Sequence, residues 1–192
     1  MKTELSKKII RLIVFLGLIT FGIKASAQEY VAPTKPPETG RSQGVKVKLI
    51  SNAGSTRTYV LIFAPGDEVM SGLKEFAMKY NVKSAHFTAI GDAQRAKIGW
   101  YDRSRKMFKV INIDYPSEIT SLIGDIAIFN GNPVVHGHIN LAAEDGSVHG
   151  GHLLEAFISP TLEVMMTVEP VQLNKQMSTE FNLSLIDPGL EQ

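Results

Sequence analysis

The 192-residue sequence contains no cysteine. This absence excludes a disulfide framework, thiol catalysis, a cysteine-ligated zinc site and anchoring through an acylated cysteine. The sequence also has little net charge, because 20 Lys and Arg residues nearly balance 19 Asp and Glu residues. It therefore lacks the basic excess that is typical of proteins that bind nucleic-acid phosphates. Internal repeats and the glycine-rich phosphate-binding motifs G-x-G-x-x-G and G-K-[ST] are also missing.

The first 27 residues are typical of a secretory signal peptide. Basic residues from Lys2 to Arg11 precede an apolar core from Leu12 to Ile23, and Ala25-Ser26-Ala27 is an A-x-A cleavage motif. The uncharged core is short for a membrane span, although an uncleaved anchor is the alternative. We expect cleavage before Gln28 and export to the periplasm or the medium. Cleavage would remove five of the 20 basic and one of the 19 acidic residues, leaving a formal charge of −3.

The length and composition predict one globular domain with terminal segments. After the signal peptide (1–27), the proline-containing stretch 28–44 is predicted to be a flexible linker. The domain itself is placed at 45–170. A C-terminal extension, 171–192, carries apolar residues that are expected to form a short strand against the domain or a neighbouring subunit.

Strand patterns dominate the domain and predict an α/β (α+β) fold with a mainly antiparallel or mixed central sheet. One principal amphipathic helix is predicted at 68–80, capped by Asp67. Gly91-Asp92-Ala93 is predicted to break the sheet. The strands are predicted at 45–51, 58–64, 82–91, 96–101, 106–113, 119–129 and 162–168, together with a hairpin in 135–155.

Three features outside that hairpin have two possible roles each. His86 lies in an apolar run and is more typical of a hydrogen-bonded core residue than of a site residue. Trp100 is interpreted as a packing residue rather than a stacking platform. The turn after it carries basic side chains that predict either a solvated loop or a phosphate- or nucleic-acid-binding tip. Those side chains are Arg103, Arg105, Lys106 and Lys109.

The stretch 135–155 holds four of the five histidines and reads VHGHINLAAEDGSVHGGHLLE. The Asp-Gly pair between two apolar runs is a hairpin signal. Side chains alternate along a strand, so His136 and His138 share one face. A two-residue loop would put His152 on the opposite face. A three-residue loop, with Gly146 in the left-handed conformation, would set His152 opposite His138 and bring all three rings together.

Three imidazoles on one face suit a divalent metal such as zinc, which takes three protein nitrogens and leaves a fourth position open. The predicted metal ligands are His136, His138 and His152. A histidine-rich subunit contact, or polar groups over a core, is the other interpretation. A bulge at Gly150-Gly151 would weaken the register argument.

The hairpin sequence resembles the signature of the plants-and-prokaryotes-conserved (PPC) domain family. The segments YVLIFAPGDEV, FTAIGDA and AKIGWYD precede it in the order that the family shows, and the resemblance covers about 45–168. It implies a compact α/β domain that assembles as a homotrimer, and it implies His136, His138 and His152 as metal-site candidates. Plant members follow an AT-hook in nuclear DNA-binding proteins, and bacterial members carry the same DNA-binding label.

Three functional hypotheses follow. The first is an exported, trimeric metal- or small-ligand-binding protein, whose partners are further copies of itself and a divalent metal such as zinc. The second is a DNA-binding or regulatory protein, which the export signal and the acidic charge oppose. The third is a metal-dependent hydrolase or lyase. No catalytic residue is assigned, because Glu155 lies three residues beyond His152 and strand parity places it on the other face unless a bulge intervenes.

Overall fold

The computed structural model describes residues 27–190, so the predicted signal peptide lies outside the described residues except for Ala27. This part of the chain contains one α-helix, α1 (Val69–Lys79), and ten strands. None of its helices is both long and apolar enough to cross a membrane. The strands are β1 (Tyr30–Val31), β2 (Lys46–Ala53), β3 (Thr56–Phe63), β4 (Ser84–Asp102), β5 (Met107–Ile113), β6 (Ser117–Phe129), β7 (Asn132–Ala142), β8 (Val148–Val168), β9 (Lys175–Ser178) and β10 (Leu183–Ile186).

Eight strands form one antiparallel sheet in the order β1-β5-β4-β6-β7-β8-β3-β2, and β9 and β10 form a separate hairpin. Strand β4 also pairs with β8, so the pairings among β4, β6, β7 and β8 close a ring. The predicted fold class, a mainly antiparallel sheet with one principal helix, is confirmed. The predicted edge strand also lies at an edge, as β2.

The predicted break at Gly91-Asp92-Ala93 is wrong, because β4 runs unbroken through it. The register shifts around Gly91 instead, which marks a bulge that bends the strand. A Cβ at Gly91 would lie 2.3 Å from the backbone oxygen of Thr161, so this close approach of the two strands requires a glycine. The predicted strand 162–168 is likewise only the last third of the long strand β8.

Helix α1 begins one residue later than predicted, and its cap is Glu68 rather than Asp67. The Asp67 carboxylate instead accepts hydrogen bonds from the backbone N–H groups of Ala64 and Gly44, at 2.8 Å each, and closes the turn before the helix. The predicted apolar stripe packs on the sheet: Val69, Leu73, Phe76 and Ala77 are buried and Tyr80 is partly buried. Burial of each large member contributes about 1.5–3 kcal/mol.

Two side chains are more exposed than the sequence interpretation predicted. His86 is exposed, because Ala85, Phe87 and Ala89 occupy the core face of β4 and alternation turns His86 outward. Trp100 is 61% exposed, beyond the last core position of β4 at Ile98. The core interpretation of His86 and the packing interpretation of Trp100 are therefore both wrong.

Both terminal segments contact the domain. Strand β1, within the predicted linker, pairs with β5. Near the other end of the linker, the N–H of Gly40 donates a hydrogen bond to Glu75 Oε1. The C-terminal extension forms the β9–β10 hairpin, and its Leu173 carbonyl accepts a 2.7 Å bond from the N–H of Ile128 in β6. The extension is thereby anchored beside β6, the strand that pairs with β7 of the histidine hairpin.

Candidate metal centre

The hairpin of β7 and β8 closes through the three-residue loop that the register argument requires. The N–H of Ala143 donates to the carbonyl of Ser147 at 2.8 Å, and Gly146 has φ +79°. His138 lies directly opposite His152, without a bulge at the two glycines of β8. The sequence prediction of this register is confirmed.

The three predicted ligands converge. One nitrogen from each of His136, His138 and His152 lies within 4.8 Å of the others, and the ring centroids are 5.2–5.6 Å apart. Nitrogens around a tetrahedral zinc stand about 3.4 Å apart, so the rings need only turn slightly inward to share an ion. The donor set therefore fits a divalent metal. His149 pairs with Leu141, is exposed, and is not part of the cluster.

Strand β6 supplies a carboxylate that orients one of the histidines. The tight turn at Asn130-Gly131, where both residues have positive φ, pairs Asp125 with His136 across β6 and β7. Asp125 Oδ2 lies 3.1 Å from His136 Nδ1. A carboxylate bonded to one ring nitrogen fixes the tautomer and leaves Nε2 for a metal.

The C-terminal extension supplies a cation to the same carboxylate. Lys175 of β9 is only 6% exposed, and its Nζ lies 3.0 Å from Asp125 Oδ1. Burial opposes ionisation of Asp125, but the His136 hydrogen bond and the Lys175 charge lower its pKa below the ordinary aspartate value. The carboxylate is therefore charged and held between two side chains from different parts of the sequence.

Burial keeps two of the histidines neutral. Desolvation, with the charges of His136, His138 and Lys175, lowers the pKa of His152 to about 3. Desolvation and the nearby His136 also lower the pKa of His138. A neutral imidazole is the form that binds a metal, so these two rings are ready to bind at neutral pH.

Phe108 of β5 fixes the third ring from its other side. Its ring stacks on His152 with centroids 4.3 Å apart and an angle of 5° between the planes. His152 also pairs with Gly99 of β4 in the neighbouring strand. Within the part of the chain that the structure describes, no side-chain hydrogen bond holds this ring, so packing places it.

Sequence reasoning missed Asp125, Lys175 and Phe108. Asp125 could have been found, because a two-residue Asn-Gly loop at 130–131 places it opposite His136 by hairpin arithmetic alone. Lys175 and Phe108 reach the site through tertiary contacts that carry no local signal.

The basic tip is partly neutralised within the chain. Arg105 forms a 2.9 Å ion pair with Asp102 and lies over the ring of Tyr30, and Lys106 donates to the carbonyl of Thr179. The other two cations of the tip, Arg103 and Lys109, form no ion pair among residues 27–190; Arg103 is exposed and Lys109 partly buried.

A model of the Plants and Prokaryotes Conserved (PCC) domain, the same domain as PPC, matches residues 50–169. Comparison with curated protein sequences finds no match. Among solved structures, a plant- and prokaryote-conserved protein from Pyrococcus horikoshii is 29% identical with a TM-score of 0.65, over 74% of this chain and 100% of that one. The likeness confirms the PPC-like fold.

Two further structures bear on the functional hypotheses through their descriptions. A protein from Archaeoglobus fulgidus described as metal-containing is 26% identical with a TM-score of 0.63, over 73% of this chain and 96% of that one. A protein from Ralstonia eutropha described as a candidate DNA-binding protein is 28% identical with a TM-score of 0.64, over 67% and 90%. The family label of DNA binding and a metal-containing relative thus coexist on one fold.

Proposed function

We propose that this chain, which belongs to the Plants and Prokaryotes Conserved domain family, is an exported, trimeric protein that binds a divalent metal through His136, His138 and His152. The observation that carries the proposal is the convergence of three ring nitrogens within 4.8 Å on one hairpin. Imidazole suits zinc among the divalent metals. A zinc ion held by three histidines supplies an electrophilic position that is open to water or a small ligand.

The residues around the cluster support a built site. Asp125 holds the His136 ring through Nδ1, and Phe108 holds the His152 ring by stacking. Such supporting contacts are typical of metal centres, because they reduce the freedom that each ligand loses on binding. The metal-containing relative from Archaeoglobus fulgidus is consistent with this use of the fold.

The first test measures metal binding directly. The purified protein, stripped with chelator and dialysed against zinc, is expected to retain about one ion per chain by plasma emission spectrometry. The His136→Ala/His138→Ala variant is expected to retain none, while His149→Ala, which alters a histidine outside the cluster, retains the full amount. Equal zinc content in all three proteins, or none in the wild type, would contradict the proposal.

A row of exposed side chains next to the cluster, two of them apolar, supports the proposed trimer. Ile123 lies opposite His138 on one side and Thr88 on the other, and Thr88 lies opposite Met165. Ile123 is 56% and Met165 47% exposed. By contrast, the hairpin residues Ile139, Leu141 and Leu153 are buried within the chain itself, so they need no partner. A second copy on this row would adjoin the metal site.

Light scattering after gel filtration tests the assembly. We expect a mass of about three chains for the wild type and a smaller mass for Ile123→Glu, because a carboxylate in a buried contact is unfavourable. Leu49→Glu, an equally drastic change at an exposed edge position, is the control and should remain a trimer. A monomeric wild type would refute the self-association proposal and leave the metal proposal standing.

DNA binding is the alternative function, favoured by the descriptions of relatives such as the Ralstonia eutropha protein. Arg103, which is exposed, and Lys109, which is partly buried, are the cations of the tip that would contact phosphate. Cell fractionation separates the two ideas, since an exported protein does not meet chromosomal DNA. Recovery of the protein in the cytoplasm, with DNA retention that falls steeply as salt rises, would favour the DNA-binding function.

A hydrolase or lyase would need a free general base beside the metal. Asp125 is engaged by His136 and Lys175, and Glu155 forms a 2.7 Å ion pair with Arg41. Neither is in position to take a proton from a metal-bound water while these contacts hold. The binding function is therefore the stronger proposal.

A further inference from the structure

A cavity of about 570 Å³ lies beside the histidine cluster, between residues 29–41 and the body of the domain. Its floor includes Met70 and Lys74 of α1, and Phe108 and His152 line its end nearest the cluster. A cavity of this volume is within the range that holds small organic ligands. The family match begins at residue 50, so the roof of the cavity is formed by a segment outside the matched domain.

The roof is an arch fixed at both ends. At its start, Tyr30 and Val31 pair with β5, and Gln28 Nε2 donates to the Val110 carbonyl at 2.7 Å. At its end, the Arg41 carbonyl accepts a 2.8 Å hydrogen bond from the N–H of Glu68. Between these anchors the proline-containing stretch 32–39 lines the cavity. Prolines limit the conformations of the arch, so the space beneath it is largely preformed.

The walls combine apolar surface with an excess of positive charge. The acidic lining residues already have cationic neighbours: Glu38 and Glu155 pair with Arg41, and Glu29 lies 4.0 Å from Lys97. Two more lining lysines, Lys35 and Lys74, have no acidic partner within 4.0 Å among residues 27–190. An occupant that is both apolar and negatively charged would complement these walls.

We propose that the cavity binds a small organic anion, a molecule with an apolar body and one acidic group. The body lies against Met70, Phe108 and Val110, and the acidic group meets Lys35 and Lys74. The charge of Lys35, which is exposed, and of Lys74, which is partly buried, favours an anion over a cation.

The position of His152 links this cavity to the proposed metal centre. His152 lines the cavity and stacks on Phe108, which lines it as well. An occupant in contact with either ring would bias the orientation of the third metal ligand. The coupling rests on the proposed metal function, whereas anion binding itself does not.

Calorimetric titration of the full, metal-free protein with octanoate tests the proposal. Octanol and octylamine, which share the apolar chain, separate the contribution of charge. We expect saturable binding of one octanoate per chain, at least tenfold tighter than octylamine. The Lys35→Met/Lys74→Met variant should bind octanoate about tenfold more weakly, since one good contact to a charged group contributes about 1.5 kcal/mol. Its affinity for octanol should be unchanged.

Lys48→Met is the matched control, because Lys48 is exposed on β2 and does not line the cavity. Circular dichroism checks that each variant is folded. Absence of saturable octanoate binding, equal affinity for octylamine, or full octanoate affinity in the double lysine variant would each overturn the proposal. Repeating the titration with zinc-loaded protein measures only the coupling, so a failure of the metal proposal stays distinct from a failure of this one.

Discussion

Glu68 and Asp125 are both carboxylates paired with a cation, but they are held in different ways. Glu68 is completely buried and accepts backbone hydrogen bonds from Met70, Ser71 and Ala156 at 2.7–3.2 Å, with Arg41 3.3 Å away. Asp125 is partly exposed, and its two oxygens contact the side chains of His136 and Lys175.

The difference separates a structural carboxylate from a site carboxylate. The backbone donors to Glu68 belong to the first turn of α1 and to β8, so this side chain joins the helix to the sheet. The donors to Asp125 are side chains that could be rearranged without moving the backbone, and one of them is a predicted metal ligand. Glu68 therefore supports the fold, whereas Asp125 supports the site.

The pKa values of the two carboxyl groups are also shifted in opposite directions. Burial raises the pKa of Glu68 above its ordinary value, despite the opposing hydrogen bonds and the charge of Arg41. For Asp125, the His136 hydrogen bond and the Lys175 charge outweigh burial and lower the pKa. Opposite shifts predict opposite contributions to the pH dependence of stability.

The largest expected effect is the loss of stability in Glu68→Ala. The substitution removes the helix cap and leaves Arg41 and three backbone N–H groups without their acceptor, so we expect the free energy of unfolding to fall by about 3–5 kcal/mol. Urea denaturation followed by circular dichroism measures it. Glu118→Ala, at an exposed position, should change stability by less than about 0.5 kcal/mol. Similar values for both variants would remove the distinction between the two carboxylates.

A smaller effect is expected on metal affinity in Asp125→Asn. The amide keeps the shape of the side chain but loses the charge that favours a metal-bearing His136, so zinc affinity should fall about tenfold or more. Competition with a chromophoric chelator measures it. Asp114→Asn, the same chemical change at an exposed position, should bind zinc as the wild type does. Unchanged affinity in the Asp125 variant would show that His136 is oriented without this carboxylate.

The smallest expected effect is on the pH dependence of stability in metal-free protein, to which the two carboxyl groups contribute with opposite sign. The stabilisation from Asp125, whose folded pKa is lowered, is present above the unfolded pKa and lost as pH falls through the folded pKa. The preference of the fold for protonated Glu68 is present below its unfolded pKa and lost as pH rises through the folded pKa. Both windows begin near pH 4.

Urea denaturation between pH 3.5 and 7 measures these contributions as differences from the wild type. The stability advantage of wild type over Asp125→Asn should shrink as the pH falls, and its advantage over Glu68→Gln should grow. Two differences that move in the same direction would contradict the assigned pKa shifts.

The sequence predicted the fold class, the amphipathic helix and the register of β7 with β8, because each depends on local periodicity or on one turn. It failed where strands continue through glycine. Gly91 marks a bulge in β4 rather than an end, since a residue without a side chain permits either outcome. It also failed for His86, because the apolar run was not divided into its two alternating faces, and for Trp100, because the pattern alone did not fix where the core face of β4 ends.

The sequence alone determined that His136 and His138 share a face and that His152 joins them if the loop has three residues. The structure takes that loop, with Gly146 in the left-handed conformation, and both effects act within a single hairpin. Only the tertiary structure decided what surrounds those rings: the Lys175 ammonium from the C-terminal extension, the stacked Phe108 and the arch over the cavity. These groups are far apart in the chain, and no local pattern encodes which strands become neighbours when β4 pairs with β8.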